Sequence, residues 1–275
     1  MRTSVGRIGW LLALVMGLRV ALSVVAGIKV EEAYYWNYSQ HPSLSYFDHP
    51  PMVAWLIRAA TWVGGDSPFW VHLPGVASFS LLTLTLIWLG NRMFDLRTGL
   101  LAGLLVNLLP VFAVISLVTV PDLPLLLAWA VGMACGWRLV SEGEPRWWLA
   151  VGVATGLGLD SKYPALLIPL GVMLYLGWRR EWRLLFNGWM VASAGLACVL
   201  FAPVILWNMQ HHWASLLFQG RGRFAESTSL GERLGGWLIQ VAALSPAGFW
   251  LLFLSLALAW KERERPQVAY LLCWS

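Results

Sequence analysis

Ile8-Gly9-Trp10-Leu11-Leu12-Ala13-Leu14-Val15-Met16-Gly17-Leu18-Arg19-Val20-Ala21-Leu22-Ser23-Val24-Val25-Ala26-Gly27-Ile28 is an unbroken apolar run with one charge inside it. It is long enough to cross about 30 Å of hydrocarbon as a helix, and Arg2 and Arg7 flank it on one side. The same opening imitates a secretory signal peptide. A retained helix is the better reading, because the run is long and no A-x-A cleavage site follows it. Similar runs recur near 73–90, 99–118, 123–140, 147–160, 163–178, 186–206 and 236–260, and another begins at 267–275. The chain therefore reads as one all-α polytopic transmembrane domain over 1–275, with outer loops at 29–66 and 207–235. The runs at 147–160 and 163–178 are short and parted only by Asp160, Ser161 and Lys162, a pattern expected where backbone lines a cavity.

Composition agrees with this reading. Of 275 residues, 59% are hydrophobic and only 12% are charged, where soluble proteins carry roughly 45–50% and 25%. Nineteen tryptophans suit a chain with many water–lipid boundaries. Disorder and a basic nucleic-acid binder are excluded, since the net charge of +5 is dispersed over a hydrophobic chain. Cys135, Cys198 and Cys273 each lie in an apolar run, so no disulfide or zinc framework is expected.

The few charges sort by side. Arg2, Arg7, Arg92, Arg97, Arg138, Arg146, Arg179, Arg180, Arg183, Lys261, Arg263 and Arg265 fall on one face, 12 of the 19 basic residues. Lys29, Arg58, Lys162, Arg221, Arg223 and Arg233 fall on the other. The positive-inside rule then places the N-terminus in the cytoplasm. It sends His41, His49, His72, His211, His212, Glu31, Glu32, Asp48 and Asp122 outside. The chemistry is expected there.

The first outer loop is the richest. Glu31-Glu32-Ala33-Tyr34-Tyr35-Trp36 follows the first span directly, and a helix over 31–38 would set Glu31 with Tyr35 and Glu32 with Trp36. An interfacial helix with solvated acids and an aromatic belt explains this segment equally well. Tyr46-Phe47-Asp48-His49-Pro50-Pro51 comes next, and Met52–Val63, apolar except for Arg58, reads as a second interfacial helix. In Thr119-Val120-Pro121-Asp122-Leu123-Pro124, Asp122 is an acid near membrane depth and also a good helix N-cap. Lys162 stands alone in a tight outer turn, as a ligand contact or a lysine reaching lipid phosphate. Arg221 and Arg223, in Gly220-Arg221-Gly222-Arg223, suit a phosphate or anionic head groups. The histidines lack an H-x-x-x-H spacing, so no obligatory metal is expected, although a divalent ion is compatible with the outer acids. No Walker loop, G-x-S-x-G or G-x-G-x-x-G occurs.

In order and spacing, Glu31–Trp36, Tyr46–Pro51, Val120-Pro121-Asp122-Leu123-Pro124-Leu125, Ser161-Lys162-Tyr163 and Trp207-Asn208-Met209-Gln210-His211-His212-Trp213 resemble the GT-C glycosyltransferases. Within that superfamily they are most similar to family 39, the protein mannosyltransferases and aminoarabinose transferases. The resemblance implies a GT-C helical bundle with two juxtamembrane helices in the first outer loop. It implies transfer of a hexosyl or pentosyl group from a polyprenyl-phosphate carrier to a lipid, glycan or protein hydroxyl. That reaction would occur on the periplasmic face of a bacterial-type inner membrane, by inverting single displacement.

On this resemblance Glu31, Glu32 and Asp122 are the catalytic candidates, and Lys162, Arg221 and Arg223 the phosphate-binding ones. Tyr34, Tyr35, Asp48, His49, His211 and His212 would line the substrate pocket. Two departures stand out. Glu31 occupies a position that is usually Asp, and the chain stops within an apolar run, so it reads as a short or truncated member. A transporter or flippase, or an inactive binder of lipid-linked sugar, is the alternative function. A transporter predicts inverted repeats and charges on both faces, which the sequence lacks.

Overall fold

The computed structural model describes residues 2–222, 231, 235, 236, 239 and 242–275. Among them the chain is helical, with no strand. Helix α1 (Arg2–Val25) is followed by α2 (Val30–Gln40) and α3 (Met52–Gly64), the two juxtamembrane helices of the first outer loop. Then come α4 (Pro68–Met93), α5 (Leu96–Leu108), α6 (Pro110–Ile115), α7 (Asp122–Glu142) and α8 (Trp147–Leu159). A 3-10 turn (Tyr163–Leu167) leads into α9 (Ile168–Trp178), α10 (Trp182–Leu185), α11 (Gly188–Gln210) and α12 (Ala214–Leu217). The last described helices are α13 (Pro246–Lys261) and α14 (Pro266–Leu272).

Four stretches are long and apolar enough to cross a bilayer: Val5–Val25, Pro68–Met93, Asp122–Glu142 and Trp182–Gln210. This is a multi-pass membrane protein. Its polar backbone groups are closed within helices, as hydrocarbon demands. Helix α13 has no buried residue, and Trp10, Leu14 and Val25 of α1 are exposed, so these apolar surfaces meet lipid rather than water.

The run read as one span over 99–118 is broken. Leu109 is extended (φ −64°, ψ 128°) because a residue before proline disfavours the α region, and Pro110 opens α6. The chain from 111 to 120 consequently leaves the bundle as an irregular wall. A second proline bends the neighbouring geometry. Pro74 lies inside α4, where it removes one ladder donor. The Thr119 hydroxyl inserts there, accepting from the Gly75 N–H (3.0 Å) and donating to the Val71 carbonyl (2.6 Å). A β-carbon on Gly75 would stand 2.7 Å from the Val118 carbonyl oxygen, so only glycine permits this approach.

Two cores result. One joins α7, α8, α9 and α14 through Trp137, Trp148, Val172, Leu176 and Tyr270, whose hydroxyl donates to the Met133 carbonyl. The other joins α2, α3, α4 and α7 through Tyr35, Val53, Ile57, Phe79 and Leu123, directly under the first outer loop. Arg19 of α1 is buried in the span, donating to Ser116 Oγ and Asn107 Oδ1 at 2.7 Å each, with its guanidinium 4.5 Å from the Phe79 ring centre. Two directed bonds and an aromatic face stabilise a charge that hydrocarbon alone would reject.

Candidate active site at the head of an apolar cavity

A cavity of about 1310 Å³ opens between α1, α2, the 111–120 wall and the start of α7. Its body is apolar, lined by Leu22, Val25, Phe112, Ile115 and Leu126. Its head carries Lys29, Glu31, Tyr34, Tyr35, His49, His72, Asp122 and Lys162. Drug-sized pockets occupy about 300–1,000 Å³, so this space suits something larger with a long apolar portion.

The Glu31-Glu32 pair splits between two environments, because neighbouring helical residues point about 100° apart. Glu31 is exposed at the cavity head. Glu32 is fully buried, and its Oε1 accepts from the Thr119 N–H at 2.8 Å and lies 2.7 Å from His72 Nδ1. His72 Nε2 reaches the Ala26 carbonyl at 3.2 Å. This knot ties α2, α4, the end of α1 and the 111–120 wall together. Its geometry assigns Glu32 to holding the loop, leaving Glu31 as the carboxylate available to a substrate.

Asp122 is the first residue of α7 and makes no side-chain cap bond. It accepts instead from Lys162 Nζ at 2.7 Å. The turn that carries Lys162 is pinned twice. Ser161 Oγ donates to the Pro121 carbonyl at 2.6 Å, and the Met52 N–H donates to the Asp160 carbonyl at 2.8 Å. Lysine and acid therefore meet because the turn is bolted to the starts of both α7 and α3. With side chains 28% and 47% exposed, the ion pair stays reachable from the cavity. Asp160 itself is buried, and that burial pushes its carboxyl up to about 7.

Asp48 lies behind the rim. It accepts from the Tyr34 hydroxyl at 3.0 Å and from the Tyr38 hydroxyl, and Tyr38 stacks on Tyr46 with ring centres 4.1 Å apart. Burial raises the Tyr38 hydroxyl, and its bond to Asp48 raises it further, so both tyrosines remain donors at neutral pH. His49 packs edge-on against Tyr35 with centres 5.6 Å apart. The Gln219 amide donates to the Asp48 carbonyl, and Phe218 packs on Phe47, which brings the segment after α11 alongside this loop.

The structure gathers Glu31, Asp122, Lys162, Tyr34, Tyr35 and His49 at one cavity and places Asp48 just behind them. His211 and His212 lie apart, exposed at the end of α11, with His211 stacked on Trp207. His212 and Trp213 take left-handed backbone (φ 54° and 62°), held where the Asn208 carbonyl accepts the Trp213 N–H at 2.7 Å. Arg223 and the Arg221 side chain lie outside the described residues. Among the described residues no three His, Cys, Asp or Glu are grouped to hold a metal.

Sequence reasoning left out Lys29, His72, Thr119 and Gln219 as site residues. His72 carried a signal, an ionisable residue inside an apolar run. Lys29 carried none, being one flanking lysine among several.

A membrane-embedded helical bundle with two juxtamembrane helices, and acids gathered at the head of an apolar cavity, is the architecture of the GT-C class. The chain belongs to the dolichyl-phosphate-mannose-protein mannosyltransferase family, whose model matches residues 48–207. It is 29% identical over 255 residues to an undecaprenyl phosphate-alpha-4-amino-4-deoxy-L-arabinose arabinosyl transferase of Erwinia tasmaniensis, covering 87% of this chain and 46% of that one. It is 28% identical over 200 residues to the lipid A galacturonosyltransferase RgtD of Rhizobium johnstonii, covering 68% and 42%. The crystal structure of ArnT from Cupriavidus metallidurans bound to undecaprenyl phosphate shares the fold. Its TM-score is 0.74 at 17% identity, over 97% of this chain and 54% of that one. The chain spans about half the length of the relatives it matches.

Proposed function

We propose that this protein transfers a sugar from a polyprenyl-phosphate carrier to a hydroxyl-bearing acceptor at the outer face of a bacterial-type inner membrane. The observation that carries this reading is the single cavity: apolar along its body, with Glu31 and the Asp122–Lys162 pair at its head. A lipid-linked donor needs that combination of a greasy channel and a polar end. The names of the relatives support it, since they include transferases of undecaprenyl-phosphate-linked aminoarabinose and of lipid A galacturonate.

The step is one displacement. The acceptor oxygen forms a bond to the anomeric carbon as the bond from that carbon to the phosphate oxygen breaks, inverting the centre. Glu31 takes the hydroxyl proton, and the phosphate leaves with the electron pair. Lys162 neutralises charge growing on the leaving phosphate, and Asp122 fixes the position of that ammonium. Tyr34, Tyr35 and His49 line the sugar's path. The chain's residues supply a base and a cation, and a monophosphate leaving group demands no metal.

The test is transfer of label from polyprenyl-phosphate sugars in membranes carrying this protein. Glu31→Gln and Asp122→Asn are expected to abolish transfer while the protein still inserts. If both variants stay fully active, the site is wrong. If the unaltered protein transfers no sugar from any donor, the function is wrong.

A further inference from the structure

The cavity head holds two ammonium groups, and they are not equivalent. Lys162 is bound to Asp122 at 2.7 Å. Lys29 also lines the cavity, yet among the described residues it makes no ion pair and no side-chain hydrogen bond. It sits in the link between α1 and α2, just above the apolar part of the cavity formed by Leu22 and Val25 of α1 and by Phe112 and Ile115 of the facing wall. An unpaired cation over an apolar trough has the layout of a site for an anionic lipid: charge at the rim, chain below.

Position strengthens this. Lys29 immediately precedes α2, so the unsatisfied N–H groups and positive dipole end of that helix lie next to it. The buried His72–Ala26 contact fixes the backbone three residues before Lys29, so the ammonium extends from a held strap rather than a loose loop. Because its side chain is exposed and supports no other group, replacing it leaves the fold intact.

We infer that Lys29 and the trough between α1 and the 111–120 wall form a binding site for the phosphate head of a lipid, separate from the phosphate contact at Lys162. Under the proposed function two substrates present such a head: the polyprenyl-phosphate donor, and a phosphorylated lipid acceptor. The inference rests on that function for the identity of the ligand, but not for the existence of the site.

The experiment is direct binding to the purified full chain in nanodiscs of neutral lipid. The probes are undecaprenyl phosphate alone and diphosphorylated lipid A alone. Lys29→Ala is expected to weaken one of them by about 10-fold or more, the usual size of a lost charge-assisted phosphate contact. Lys29→Glu is expected to weaken it further, and Lys29→Arg to keep it within about 3-fold. Which probe responds identifies the occupant as carrier or acceptor. If both probes bind Lys29→Ala and Lys29→Glu as tightly as the unaltered protein, or if neither binds the unaltered protein, the inference is overturned. A Lys29-dependent affinity in a protein that transfers no sugar would overturn the glycosyltransferase reading and leave this site standing.

Discussion

Glu31 and Glu32 are adjacent, chemically identical and on one helix, yet they belong to different regions of the molecule. One faces the cavity head, where Asp122 and Lys162 are half-exposed. The other is sealed in a knot with His72 and Thr119, where neither acid nor imidazole sees solvent. The cavity region tolerates groups without partners, because a substrate will supply them. The knot tolerates none, because an unmatched polar group in a dry interior costs about 1–3 kcal/mol or more. A catalytic group and a positioning group can therefore be separated by a single peptide bond.

The sharpest way to break that comparison is to exchange the roles by mutation. Glu31→Gln is expected to lower sugar transfer by about 10²–10⁴-fold, the range for a lost general base, with an unchanged thermal midpoint. Glu32→Ala is expected to do the opposite first. It strands the His72 imidazole and the Thr119 N–H, destabilising the protein by roughly 2–4 kcal/mol, seen as a lower unfolding midpoint in detergent. If Glu32→Ala leaves the midpoint untouched and only transfer is lost, the division between the two acids is wrong.

Asp160 offers a pH-dependent test of the turn that carries Lys162. Burial raises its carboxyl to about 7, above its ordinary value near 3.9, so the folded protein binds the extra proton between those limits. Stability from this group is therefore full below about pH 4 and declines as pH rises to about 7. Asp160→Asn is expected to flatten that decline and raise the midpoint at pH 8, measured by thermal unfolding at several pH values. The smallest effect is expected at the rim. Tyr34→Phe removes one exposed hydrogen bond to Asp48, about 0.5–1.5 kcal/mol, and should change transfer by less than about 10-fold.

Much of this was legible beforehand. Hydropathy alone specifies an all-helical membrane protein, since the backbone of a long apolar run has few other ways to satisfy itself in lipid. The two juxtamembrane helices were readable from Glu31–Tyr38 and from Pro50-Pro51 before Met52–Val63, and they form α2 and α3. Other features resisted. The break at Leu109-Pro110 was hidden inside a continuous apolar run, although the proline was visible. Asp122 had the makings of an N-cap, but its carboxylate goes to Lys162, because the pinned turn delivers a cation worth more than a backbone N–H.

By itself the sequence determined which segments are apolar, how few charges the chain carries and which residue types could do chemistry. Those are local properties, fixed by the transfer of each side chain between water and lipid. Only the tertiary structure decided which of two neighbouring glutamates meets a substrate, that Lys162 is engaged while Lys29 is not, and that Thr119 closes the gap beside Pro74. Each of those depends on groups tens of residues apart arriving within 3 Å. That distance is set by how helices pack, and no local pattern encodes it.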